Sequence, residues 1–317
     1  LNHPIRQFLC VFLLTVLLIT GCASVDPASE ASSEKKEQAL ELTAAEVLAQ
    51  AIEASEKQTG VSFSMTTDQN MIIEADGTKE TVNTTTSMEM ETTQKPFAFY
   101  MKGSIEMDGE SLPTETYFAD STYYVKEEET DEWYKLEIPD LDEETMEELL
   151  NEASTEDPQQ LLKQLESFAD SLALTYKDGT YIITLELDEE QSQKYQEVFV
   201  KDQLDGFLDL MEEDLDPSEQ EEMQNEMDQF FDNVQIEGLK QTIHIDEKTF
   251  EYTKVDQELR MVIAMDSEKM TMDQKLNIDI KGKVDTITVP DEVKNNAVDM
   301  SEMLDMSDLD DLEDIDF

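Results

Sequence analysis

The sequence predicts an α+β fold, a large antiparallel sheet with helices segregated from its strands. Three observations predict it. Period-two hydrophobicity dominates two long stretches, 61–138 and 234–289, and a short one, 172–187. Asp76-Gly77, Asp108-Gly109 and Asp178-Gly179 mark tight turns between apolar runs. Helix-period segments sit between blocks of strands, and sheets with segregated helices make an α+β fold.

Taken in order, the folded body is one domain, 42–298. Thr43 and Glu46 form a T-x-x-E capping box. They open a helix whose Val47, Leu48, Ala51 and Ile52 share a face, and Gly60 reads as its stop. Val61, Phe63 and Met65 then alternate with polar residues, as do Met88 and Met90, then Phe97, Phe99 and Met101, then Ile105 and Met107. Lys95-Pro96 is a further turn signal. Strands near Thr122–Lys126 and Glu132–Ile138 close an antiparallel meander of five or six strands.

Residues 141–170 read as helical, with acids in the first turn and Asp157-Pro158 as an N-cap and first helical position. A hairpin at 172–187 places Tyr181, Ile183, Leu185 and Leu187 on one face. Residues 189–232 are helical and strongly acidic, interrupted at Asp216-Pro217. Strands return over 234–289, ending in "TITV". The tail, 299–317, spaces Met300, Met303, Met306, Leu309, Leu312 and Ile315 by threes among acids. It reads as a solvated acidic tail; the sharper reading is a segment that docks on a partner or on the protein itself.

The N-terminus lies outside that body. Phe8–Thr20 carries no charge and is shorter than the ~20 residues of a spanning helix. Arg6 supplies a thin positive flank. Ile19-Thr20-Gly21-Cys22 resembles a bacterial lipobox. The resemblance implies that 1–21 is a lipoprotein signal peptide cleaved between Gly21 and Cys22. It also implies that Cys22 takes a thioether-linked diacylglyceryl group with palmitate-type chains. Two chains anchor where one binds only marginally. Residues 22–41 are then the acylated Cys and a flexible tether, about 25 Å from end to end as a coil. The expected location is the extracellular face of the cell membrane.

Composition removes several classes of function. Against 77 acidic residues stand 22 Lys and Arg, a net charge of −55, so nucleic acid is not an expected partner. The only cysteines are Cys10 and Cys22, and the only histidines His3 and His244. Cys/His metal sites and Cys/His nucleophile pairs are therefore not expected in the body. His244 falls in "TIHID", a strand, where a satisfied or exposed His is the plain reading. Carboxylate pairs are too abundant to single out a glycosidase or a metal-dependent hydrolase, and "EADGTKE" lacks the ligand spacing of a calcium loop. No cofactor, no metal and no enzymatic activity are expected.

"AAEVLAQAIEASEKQTGVSFSMTTDQNMII", the Met-rich strands and "DTITVPDEVKNNAVDM" together resemble an uncharacterised family of Gram-positive surface lipoproteins. The layout is similar, more distantly, to the lipoprotein-localisation factors and the mycobacterial lipid-carrying lipoproteins. That similarity implies a curved, half-barrel-like sheet with helices on its concave face and acyl chains held between them.

Seventeen methionines fit such a surface, because an unbranched thioether adapts to varied apolar shapes. Candidate groove residues are Phe63, Met65, Met88, Met90, Phe99, Met101, Met261, Met265 and Met272; the alternative is that these simply fill a core. Tyr117, Tyr123, Tyr124, Trp133 and Tyr134 would line the groove mouth or pack across strands. The expected function is non-enzymatic binding or carriage of a lipid or other apolar ligand. The other reading is a cell-envelope interaction or structural module working through the acidic helices and tail; the sequence names no protein partner.

Overall fold

The computed structural model describes residues 42–300, apart from 56, 76, 108, 128–129, 139–167, 169–170, 197–232 and 266–267. The expected signal peptide, tether, helices of 141–170, most of 189–232 and the tail beyond 300 lie outside the described residues. Twelve strands and three helices are present among the described residues.

Helix α1 (Ala44–Ser55) starts as its sequence dictates. Thr43 Oγ1 accepts from the Glu46 amide at 3.2 Å, and Glu46 Oε2 accepts from the Thr43 amide at 2.8 Å. This reciprocal pair satisfies two otherwise orphaned donors. Val47, Leu48, Ala51 and Ile52 are buried, and the larger three contribute roughly 1.5–3 kcal/mol apiece. Gly60 is not the stop: the helix ends at Ser55, whose hydroxyl donates to the Ile52 carbonyl at 2.7 Å. Gly60 instead begins the first strand, opposite Thr93. A Cβ there would lie 2.7 Å from the Thr92 carbonyl oxygen, so its role is close backbone approach.

The first meander contains six strands: β1 (Gly60–Ala75), β2 (Thr78–Gln94), β3 (Phe97–Met107), β4 (Glu110–Ala119), β5 (Thr122–Lys126) and β6 (Trp133–Glu137). The hairpin β7 (Leu172–Lys177) and β8 (Thr180–Leu187) turns through Asp178 and Gly179, at φ 50° and 86°. This is the left-handed geometry that an Asp-Gly pair adopts cheaply. The β4–β5 turn does the same with Asp120 and Ser121, at φ 53° and 55°, without a glycine. Helix α2 (Glu189–Tyr195) opens on Asp188 with a complete capping box to Gln191. Strands β9 (Val234–Asp246), β10 (Tyr252–Met265) and β11 (Glu268–Lys283) form the second meander.

All twelve strands join one sheet in the order β12-β6-β5-β4-β3-β2-β1-β11-β10-β9-β8-β7. The first and last long strands, β1 and β11, pair antiparallel at its centre. The result is the expected class: a large, open, curved, mostly antiparallel sheet with helices packed on it.

The final segment departs from expectation. Residues 286–289, "TITV", are not a strand. After Lys283 the chain crosses a face of the sheet, and Ile287 and Val289 sink into it beside Val293 of α3 (Asp291–Asn296). They pack on Ala98, Ala119 and Tyr124, flanked by Tyr100, Tyr117 and Trp133. β12 (Val298–Asp299) then pairs with Tyr134 and Lys135 of β6, the one parallel contact in the sheet.

Strand register separates the two faces. Phe63, Met90, Met101 and Thr116 lie opposite one another in a row, so they share a face. Ser62, Glu91, Tyr100, Tyr117 and Tyr124 share the other. Helix α1 and α2 cover the first, here called the inner face; α3 and the strap of 284–297 cover the outer. Two helices thus lie together and the third opposes them, with Val289 and Val293 packed among the outer-face aromatics.

Candidate functional site

Alternation puts every second side chain of the sheet's strands on the inner face. Over β1–β3 this yields a patch of large apolar side chains in direct register. Phe63 pairs with Met90, Met90 with Met101, Met65 with Met88, and Met88 with Gly103. All five large residues are half-buried. Phe99 adjoins them, its ring stacked on Phe118 at 5.7 Å between centroids. Phe97 and Tyr123 complete that aromatic group.

Two of the remaining expected groove residues lie elsewhere on the face. Met261 and Met272 are 3 % and 1 % exposed. They oppose each other across β10–β11, with Met71 on the far side of Met272. They belong to the packed core with Leu187, Leu239 and Leu259. The side chain of Met265 lies outside the described residues; its backbone pairs with Glu268. The expected aromatic set divides between the faces. Tyr117, Tyr124 and Trp133 sit under the outer strap. Tyr123 and Tyr134 are on the inner side, Tyr123 lying opposite Phe118 and Tyr134 opposite Val125.

A band of amides crosses the inner face between its two apolar clusters. Gln241 lies opposite Gln257, and Gln274 opposite Gln69. Gln257 and Gln274 are diagonal neighbours, since Gln257 faces Leu276 and Gln274 faces Leu259. Thr84 extends the band beside Gln69. On one side lie Leu259, Met261, Ile263 and Met272. On the other lie Val255, Leu276, Ile278 and helix α1.

The band is only partly satisfied. Gln241 Nε2 donates to Gln257 Oε1 at 3.5 Å, and Gln69 Nε2 lies 2.8 Å from Met272 Sδ. Gln257 Nε2 and Gln274 Oε1 have no hydrogen-bond partner, although both side chains are 4 % exposed. Each such orphan costs about 1–3 kcal/mol.

Sequence reasoning missed this band, yet the signal was present. Each of "SMTTDQNM", "LKQTI", "VDQEL" and "MDQKL" has a glutamine in the apolar phase of its strand.

The outer face is chemically different. An open trough of about 660 Å³ crosses β2, β1, β11, β10, β9 and β8, passing Asn70, Arg260 and Lys275. Its basic side chains are paired. Arg260 Nε donates to Glu237 at 2.7 Å and its Nη1 to Asp273 at 3.0 Å, and both carboxylates hold its pKa up. Lys275 meets Glu258 at 3.1 Å, and Asn70 donates to Asn83 at 2.7 Å.

His244 also faces outward, 3.7 Å from Asp256. Burial pushes its pKa below the ordinary value, against the opposing pull of Asp256. Among the described residues, no group of three or more His, Cys, Asp or Glu could hold a metal ion. No helix among them is long and apolar enough to cross a membrane.

The architecture defines a class: an open curved antiparallel sheet with a helix-bearing apolar face. The chain belongs to the DUF6612 family, a family of unknown function, whose profile matches residues 43–298. No curated protein matches the sequence. Among solved structures it is similar to a lipovitellin described for its lipid–protein interactions, at 4 % identity, covering 74 % of this chain and 26 % of that one, TM-score 0.28. The chain thus spans about a quarter of that relative's length.

It is also similar to a lipoprotein-sorting protein domain from Vibrio parahaemolyticus, at 10 % identity, covering 78 % of this chain and 96 % of that one, TM-score 0.22. A LolA superfamily protein from Nitrosomonas europaea matches at 9 % identity over 80 % of this chain and 97 % of that one, TM-score 0.16.

Proposed function

We propose that the protein is a lipid-anchored, non-enzymatic binding protein of the extracellular membrane face, acylated at Cys22 and holding a lipid or other apolar ligand on its inner face. The observation that carries the reading is the patch of Phe63, Met65, Met88, Met90 and Met101. Large apolar side chains stand there in mutual register and remain half-buried. A surface of thioethers and phenyl rings offers dispersion contacts to flexible hydrocarbon without demanding one shape. The anchor rests on Gly21-Cys22 and the polar stretch behind it. A net charge of −55 would repel an anionic bilayer, so attachment falls to the covalent lipid.

Two measurements test the proposal. Protein purified without detergent is examined by native mass spectrometry and by lipid extraction, and titrated with N-phenylnaphthylamine. Co-purifying lipid, or saturable probe binding weakened by Met88→Ser with Met101→Ser, supports it. Clean protein that binds no probe overturns the ligand. Separately, Cys22→Ser should release the protein from membranes and block processing; unchanged membrane association overturns the anchor.

A further inference from the structure

We propose that the glutamine band is a recognition site for the polar joint of an amphiphile: an uncharged linkage that pairs a carbonyl acceptor with an N–H or O–H donor, with apolar arms on both sides. The proposal rests on the ligand-binding reading above and deepens it. It begins with the two atoms left over. Gln257 Nε2 is a donor and Gln274 Oε1 an acceptor, both buried and both without partners. They come from diagonal neighbours on adjacent strands, a separation of roughly 7–8 Å between backbones that long side chains span. Together they present one donor and one acceptor at the boundary of two apolar clusters.

That arrangement selects by chemistry. A secondary amide or a hydroxy-ester offers the matching acceptor and donor. A simple ester satisfies Gln257 alone, and a hydrocarbon satisfies neither. A carboxylate or ammonium is disfavoured, because the band holds Gln69, Gln241, Gln257 and Gln274 and no charged side chain to compensate a buried ion. The half-buried apolar residues on either side, Ile73 and Met270 toward one end and Phe63 and Met65 toward the other, take the two arms. Amide-linked acyl chains and partial glycerides share this chemistry; the test separates them.

The detergent-free full chain is titrated by displacement of N-phenylnaphthylamine. The probes are N-hexyloctanamide, 1,2-dioctanoylglycerol, hexyl octanoate and octanoate. The same series is run on Gln257→Leu with Gln274→Leu, whose circular dichroism and Tm report folding. The expected result is a loss of about tenfold for the amide and the diacylglycerol in the double variant, with hexyl octanoate affected less. Octanoate should bind weakly to both proteins. The preferred source is whichever of the amide and the diacylglycerol loses more.

Equal losses for every probe, or no loss for any, overturn the band as a recognition site. The latter outcome with a raised Tm would make it only a structural imperfection. If no probe displaces the fluorophore from the unaltered chain, the ligand-binding reading itself fails, which is a distinct result.

Discussion

Met88 lies directly over Gly103. The two residues pair across β2 and β3, and a Cβ built on Gly103 would sit 2.6 Å from Met88 Cγ. The Ser87 carbonyl oxygen crowds the same point. The absence of a side chain at 103 leaves the room that Met88 occupies in the apolar patch. Gly103→Ala should therefore destabilise the protein by about 1–3 kcal/mol, read from urea unfolding. Met88→Ala should recover part of that loss in the double variant. Additive effects would show that the contact does not couple the two positions.

Met272 and Met107 provide a contrast of burial within one residue type. Met272 is 1 % exposed between Met71 and Met261, whereas Met107 is 40 % exposed at the tip of β3. Met272→Ala should cost about 2–5 kcal/mol, and Met107→Ala less than about 0.5 kcal/mol. Matching midpoints for the two variants would contradict the assignment of Met272 to the core.

Trp133 is the only tryptophan and sits beside the strap residues Ile287 and Val289. Val289, 1 % exposed, anchors that strap. Val289→Ala should destabilise by about 2 kcal/mol and move Trp133 emission to longer wavelength as water enters. Emission that does not move would place the strap elsewhere.

His244 sets a pH dependence whose sign is fixed by burial. Its folded pKa lies below the ordinary 6.5, so the unfolded chain takes up the proton first. Its stabilising contribution is complete above about pH 6.5 and is lost as pH falls through the lower folded value. The Tm of the unaltered protein minus that of His244→Gln should therefore shrink between about pH 7.5 and 5. A constant difference would refute this.

The net charge of −55 predicts a salt response. Self-repulsion weakens as the screening length falls from roughly 30 Å at 0.01 M to 10 Å at 0.1 M. Tm should rise across that range, more than for a protein of balanced charge, and calorimetry in matched buffers reads the change.

The legible parts of the fold were those set locally. Thr43 and Glu46 announced the start of α1, and Asp178-Gly179 forced a left-handed turn whatever surrounded it. The Asp120-Ser121 turn adopts the same geometry without glycine, held by its flanking ladder. Alternation in "TITV" was genuine, since Ile287 and Val289 are both buried. Period two reports only which side chains point inward. It does not say whether the backbone pairs with a strand or lies across a sheet.

The same limit applied to the site. In the structure Phe63, Met65, Met88, Met90 and Met101 share a face, but alternation alone could not separate this half-buried patch from the fully packed Met261 and Met272. That difference depends on what lies above each strand. The glutamines were passed over because attention to the apolar phase discounts its exceptions, although one polar residue recurring in phase on four strands is itself a pattern.

The β1–β11 pairing has a consequence for biogenesis. Fifteen residue pairs join these strands, which lie about two hundred positions apart in the chain. The six strands made first consequently emerge from synthesis with β1 as a sixteen-residue unpaired border, open to intermolecular pairing until the last third of the polypeptide arrives. Its exposed positions in that interval include Asp68 and Glu74, charges suited to keeping neighbouring nascent copies apart.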